Sequence, residues 1–298
     1  MDWAKARAFL LAAFTVVNLI LAYSIWGPTA LFPYLNETQG QAMEVFRETL
    51  FNRRLVLPAN VALPRTPGPM RFLRVEPSPT PDLMEWAVEI SDVMASSGVH
   101  DDIALIENLR PAVDPRTQAF EIVPQALGPA AHDVKLDSRE HVVRIAEDYL
   151  RTMALYPAGA YLSGLTENKD KGTVTVEYVP LFDGHPVYSG YVRVEVSVHG
   201  VEKVTRLWVV PREYSAAPAK QVRPAREALL RLAGRLTNTQ LRTVTDIQLG
   251  YHAGRTLPLT KSDDVHGWDT VPVWRITLDG GETYFINAFN GEWESQGE

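Results

Sequence analysis

Hydrophobic and polar positions change their rhythm several times along this chain. Residues 8–26 are apolar from end to end, interrupted only by Thr15, Asn18 and Ser24. At about 1.5 Å per residue, that length of helix matches the ~30 Å hydrocarbon core of a bilayer. A single transmembrane helix is therefore expected at 8–26, behind a cytoplasmic tail at 1–7. Lys5 and Arg7 precede the run and no Lys or Arg occurs in 27–46. The positive-inside bias then puts the N-terminus in the cytoplasm and the rest outside the cell membrane, with Trp3, Tyr23 and Trp26 at the two interfaces. A cleaved signal peptide, with Ala22 and Ser24 before the cut, is the competing reading, but the run exceeds the usual 7–15 residues.

Beyond the run, Gly27, Pro28 and Pro33 predict a helix stop and 27–40 a linker. A helix is expected at 41–54, with Ala42, Val45, Phe46 and Leu50 on one side. Prolines at 58, 64, 67, 69, 77, 79 and 81 restrict strands there to short or edge pieces such as 70–76. Thr80-Pro81 opens a helix to about 95, 112–123 reads as extended, and 124–131 as a connector. These segments make an N-terminal subdomain at 41–130.

The second half, 131–298, is more regular. Asp137 with Glu140 resembles a capping box opening a helix to about 155, whose stripe is Val142, Ile145, Ala146, Tyr149, Leu150 and Met153. Residues 173–179 and 191–198 alternate strictly, Val192, Val194, Val196 and Val198 against Tyr191, Arg193, Glu195 and Ser197. That period predicts antiparallel strands with one buried and one wet face. His199-Gly200 is the expected turn into 201–210. The order then repeats, with a helix at 224–236, strands at 244–251, 271–278 and 283–287, and a turn at Asp279-Gly280-Gly281. The predicted fold class is α+β, with one N-terminal transmembrane helix, antiparallel sheets and packed helices, and two duplicated helix-plus-β-meander modules at 137–211 and 223–293.

Composition narrows the chemistry. With 36 acidic against 29 basic residues, net charge −7, nucleic acid is a poor partner. The absence of cysteine excludes disulfides, thiolate zinc sites and thiol nucleophiles. No HExxH, nucleophile elbow, Walker loop or G-x-G-x-x-G occurs, so no catalytic residue, cofactor or metal is assigned. His100-Asp101-Asp102 reads as acids at a helix start rather than a ligand set, and Asp263, Asp264 and His266 as a solvated turn. Aromatics at 178, 188, 191, 208, 268, 274, 284 and 293 are assigned to core and cross-strand positions ahead of a ligand groove. Asn18, with Thr15, is the candidate for contact with a partner helix in the membrane; local backbone bonding is the equal alternative for the carboxamide.

The opening Met-x-Trp-x-Lys, the span with Val17-Asn18-Leu19-Ile20-Leu21, the stretch Tyr178-x-Pro-Leu-Phe-Asp-Gly-His-Pro-Val-Tyr and the closing Thr-Tyr-Phe-Ile-Asn-Ala-Phe-Asn-Gly-Glu at 283–292 together resemble the YycI (WalI) family. The resemblance implies a non-enzymatic regulator of a cell-wall-responsive sensor histidine kinase of the WalK/YycG type. It also implies a YycH-like sister protein as partner, and homo- or hetero-dimer pairing. The alternative is a PepSY-like binding or inhibitor module for a peptide, a protease or a cell-wall polymer, and a cell-wall hydrolase ranks last.

Overall fold

The computed structural model of the chain describes residues 7, 11, 13–18, 33–78, 109–113, 119–124, 134–168, 170–236, 240–253 and 267–297. They fall into two compact units, Met1–Arg53 and Arg54–Glu298. The first is helical where described. Helix α1, Pro33–Asn52, takes in 33–40 of the 27–40 segment that the sequence assigned to a linker. Pro33 suits a first helical turn because its missing N–H has no partner to lose there, and Gly40 alone costs a helix only about 1 kcal/mol.

The expected membrane span does not hold. Arg7, Leu11 and 13–18 are helical, and the rest of 8–26 lies outside the described residues. Among the described residues no helix is long and apolar enough to cross a membrane. Helix α1 has the length, at 20 residues, but it carries Glu37, Glu44, Arg47 and Glu48. A central charge costs roughly 2.5–3.5 kcal/mol on insertion scales. The single-pass topology, the cell-membrane localisation and the extracellular placement all depended on that span and fall with it.

The second unit is α+β and built on two seven-stranded sheets. Its strands are β1 (Leu55–Val56), β2 (Leu73–Pro77), β3 (Leu109–Val113), β4 (Phe120–Pro124), β5 (Ala160–Asn168), β6 (Thr173–Phe182), β7 (His185–Pro186), β8 (Tyr191–Ser197), β9 (Gly200–Leu207), β10 (Val209–Tyr214), β11 (Arg242–His252), β12 (Trp268–Leu278), β13 (Thr283–Asn287) and β14 (Trp293–Gly297). Helix α2, Arg139–Thr152, precedes β5, and helix α3, Ala225–Arg235, precedes β11.

One sheet has the order β3-β4-β9-β8-β6-β5, with β7 on β6; the other has β1-β11-β12-β13-β14, with β2 bridging β10 and β12. All pairings are antiparallel except β1 with β11. A helix followed by a four-stranded meander thus occurs twice, as α2-β5-β6-β8-β9 and as α3-β11-β12-β13-β14.

Each helix forms where the period of the sequence provides a stripe. Val142, Ala146 and Leu150 of α2 are buried and join Phe120, Ile122, Val176, Val192, Val194 and Val204 in one core. The cap is Ser138 rather than Asp137. Its extended backbone lets the hydroxyl accept from His141 N at 3.4 Å, which answers one of the orphan donors of a first turn. On α3, Ala225, Ala228, Leu229, Leu232 and Ala233 are buried. The β8–β9 turn centres on Val198-His199, since Ser197 pairs with Gly200. Val198, expected inside, is therefore 48 % exposed. At the β12–β13 turn, Gly280 and Gly281 take φ of 89° and 85°, a backbone that side chains rarely adopt. Arg242 fastens this turn through Asp279 Oδ1 at 3.1 Å and Glu282 Oε2 at 3.0 Å.

Candidate functional site

The two helix-and-meander units meet along a seam whose residues come from β5, β6 and β8 on one side and β11, β12 and β13 on the other. The segment after β6 builds one end of it. Asp183 turns the chain with φ 51°, β7 folds back on β6, and Val187 then forms a parallel bridge to Tyr251 of β11. Tyr188 N donates to Tyr251 O at 2.7 Å, and Ser189 Oγ accepts from Ala253 N at 2.7 Å. This docking requires glycine at 250, because a Cβ there would run into Pro186 O and the Tyr188 ring.

Charge concentrates at the middle of the seam. Glu177 on β6, its side chain 17 % exposed, receives Arg193 Nε from β8 at 2.8 Å and Arg275 Nη2 from β12 at 3.2 Å. Arg275 Nη1 also donates to Ser163 Oγ. Its guanidinium carbon lies 5.0 Å from the centre of the Tyr188 ring, within cation–π range. A second link crosses nearby, where Tyr188 Oη donates to Gln248 Oε1 at 2.8 Å and Gln248 Nε2 donates to Tyr161 Oη at 3.2 Å. Burial opposes the Glu177 carboxylate, but Arg275 and Arg193 outweigh it and hold the carboxyl below its usual range. Burial pushes the Tyr188 phenol up. His252 stacks on Phe285 with centroids 4.3 Å apart, and burial pushes its imidazole down to about 4, against a hydrogen bond with the Tyr188 backbone.

The strict alternation of 173–179 and 191–198 put Glu177 and Arg193 on a wet face and passed over Arg275, Ser163, Gln248 and Tyr161. The wet face holds only until the second sheet covers it. Arg275 carried a legible signal, a lone charge amid Val271-Pro272-Val273-Trp274 and Ile276-Thr277-Leu278, where burial demands a partner.

Of the aromatics weighed as a groove, Tyr178, Tyr188, Trp208, Trp274 and Tyr284 are buried and Tyr191, Trp268 and Trp293 half-buried. His100, Asp101, Asp102, Asp263, Asp264 and His266 lie outside the described residues. Among the described residues no group of three or more His, Asp or Glu is arranged to hold a metal. Thr15 Oγ1 and Asn18 Nδ2 each donate at 2.8 Å to the carbonyl four residues back, at Leu11 and Phe14.

The closing Asn-Ala-Phe-Asn-Gly-Glu stretch is a turn-building device. Asn287 Oδ1 accepts from Phe289 N at 2.8 Å and Asn290 N at 3.3 Å, and Asn290 Oδ1 accepts from Glu292 N at 2.8 Å. Ala288 O and Phe289 O take Arg223 N at 2.7 Å and Arg223 Nε at 2.9 Å, which ties the turn to the start of α3. Asn287→Ala removes the one side-chain oxygen that accepts both bonds, from a residue only 7 % exposed. It should cost about 1–3 kcal/mol, read as a lower urea midpoint at unchanged slope, whereas Asn290→Ala, more exposed, should cost less.

The model of the YycI protein family matches residues 146–289, from midway along α2 into the turn after β13. No curated protein matches the chain. The family match is consistent with YycH/YycI-like membership over that part of the chain. It supports a general regulatory role in a two-component-system context.

Proposed function

We propose that this chain is a non-catalytic regulator of a sensor histidine kinase of the WalK/YycG type, acting through protein–protein contact alongside a YycH-like sister protein. The observation that carries this reading is the family match over 146–289, since it takes in the seam and all of both helix-and-meander units except the first half of α2 and strand β14. The residues of the resembling stretches agree in kind with such a role. Asp183, Pro186, Val187, Asn287 and Asn290 shape turns and docking contacts. Residues 137–211 and 223–293 are read as two copies of one module.

A regulator of this kind works by binding one state of the kinase more tightly than the other. Moving an equilibrium from 1:99 to 99:1 takes roughly 5.5 kcal/mol of differential affinity, which a modest protein interface supplies. The test is deletion of the chain in a cell that carries the kinase, with the phosphorylated fraction of the response regulator as readout. The full-length chain is also used to capture the kinase. A changed fraction, restored by complementation, together with capture, is the expected result. An unchanged fraction without capture overturns the reading.

A further inference from the structure

Among the described residues the apolar part of the seam is small, with Val179, Tyr188, Val273 and Phe285 buried and Tyr161, Tyr191 and Val271 packed around them. The core between α2 and its sheet is far larger. Beside the apolar part of the seam, the Tyr188–Gln248–Tyr161 link and the Glu177–Arg193–Arg275 cluster are polar, and ions largely withdrawn from water, as Glu177 and Arg275 are, cost nearly what their attraction returns. Replacing a buried ion cluster by apolar side chains of similar volume is often neutral for stability. Arg275 Nε adds to that cost, for it is buried without a hydrogen-bond partner among the described residues.

What such a cluster does supply is direction. Two planar guanidinium forks can share one carboxylate only within a narrow range of placements. The strand opposite is shaped for this contact: β5 shifts register between Leu162 and Gly164, and the residue thrown out of step is Ser163, which meets Arg275. Bulges recur where a side chain has to be re-aimed.

We propose that the Glu177–Arg193–Arg275 cluster is a clasp that sets the angle between the two helix-and-meander units. Once its charges are removed, the two sheets rock against each other while each unit stays folded. The geometry places the moving surface at the short apolar seam, with the Val187–Tyr251 bridge at its end. The clasp does not depend on the regulatory reading, because it is tested on the isolated full-length chain.

The chain has no cysteine, so introduced pairs carry spin labels at chosen sites alone. Glu202→Cys with Asp246→Cys spans the two sheets, and Glu202→Cys with Glu167→Cys stays within one; all three positions are exposed. With the clasp intact both pairs give single narrow distances by pulsed electron resonance. In Glu177→Gln, and in the Glu177→Leu/Arg275→Met double variant, the between-sheet distance becomes broad. The within-sheet distance stays narrow, and the thermal midpoint of the double variant stays near that of the unaltered chain. A between-sheet distance that stays narrow in both variants overturns the clasp. Broadening of both pairs together also overturns it, because the cluster would then be ordinary fold stability. Glu177→Gln keeps the carboxylate's shape and decides the matter should the double variant fold poorly.

Discussion

Trp274→Ala lowers the stability of the chain by about 3–5 kcal/mol, the range for emptying a large core site. Trp274 is 0 % exposed and stands in β12 between Leu249 of β11 and Ile286 of β13. Its indole Nε1 donates to Arg223 O at 2.8 Å, one residue ahead of the Pro224 cap of α3. The substitution removes the largest side chain of this core and strands the Arg223 carbonyl, so the cavity and the lost bond add. Trp274→Phe keeps most of the volume and loses the bond, and should cost about 1–3 kcal/mol. Urea unfolding of the two variants measures both values. A cost for Trp274→Ala below that of Trp274→Phe would mean that the site collapses around the missing ring and that the account of this core is wrong.

Acid weakens the fold through the seam. His252 is held neutral by burial, with its folded value at about 4 against an ordinary 6.5. The unfolded chain therefore binds a proton at a pH where the folded chain does not. The stability contributed by neutral His252 is complete above pH 6.5 and is lost as pH falls towards 4. The slope is about 1.4 kcal/mol per pH unit, or about 3 kcal/mol across the window. His252→Phe keeps a ring on Phe285, so its stability falls less steeply over the same range. Other titrating groups cancel in the difference between the two curves. Unfolding measured at pH 7, 6, 5 and 4 checks this, and parallel curves would remove His252 from the account. Below that window Glu177 acts in the same sense: its carboxyl is held low by Arg275 and Arg193, and its contribution is lost as protonation finally occurs.

Period carried much of the fold. Strict alternation marked β6 and β8, and the 3.6-residue stripe marked α2 and α3, because these elements bury one face against a single partner layer. Strand β5 was missed because the bulge at Ser163 breaks its alternation, and β14 because Trp293-Glu294-Ser295-Gln296-Gly297 has almost no apolar period. The 33–40 part of the expected linker became helix because its residues resist a helix only weakly, and local preference is a weak prior beside the helix they extend. The membrane span failed differently. Hydropathy over 8–26 matched a bilayer's thickness, yet the long helix described is the charged α1.

The candidate site was legible only at its ends. Asp183-Gly184 and Asn287 to Gly291 announced turns, since turn residues act on their own backbone neighbours. Nothing nearby in sequence tied Glu177 to Arg275, which stand 98 positions apart. By itself the sequence determined where α2, α3, β6, β8 and β11 to β13 form and which of their faces are apolar, because those depend on contacts a few residues away. Only the tertiary structure decided that a polar strand face would lie beneath a second sheet and that its charges would find partners there. Burial on that face depends on how two sheets dock, and docking is set by the sum of many distant contacts that no local pattern contains.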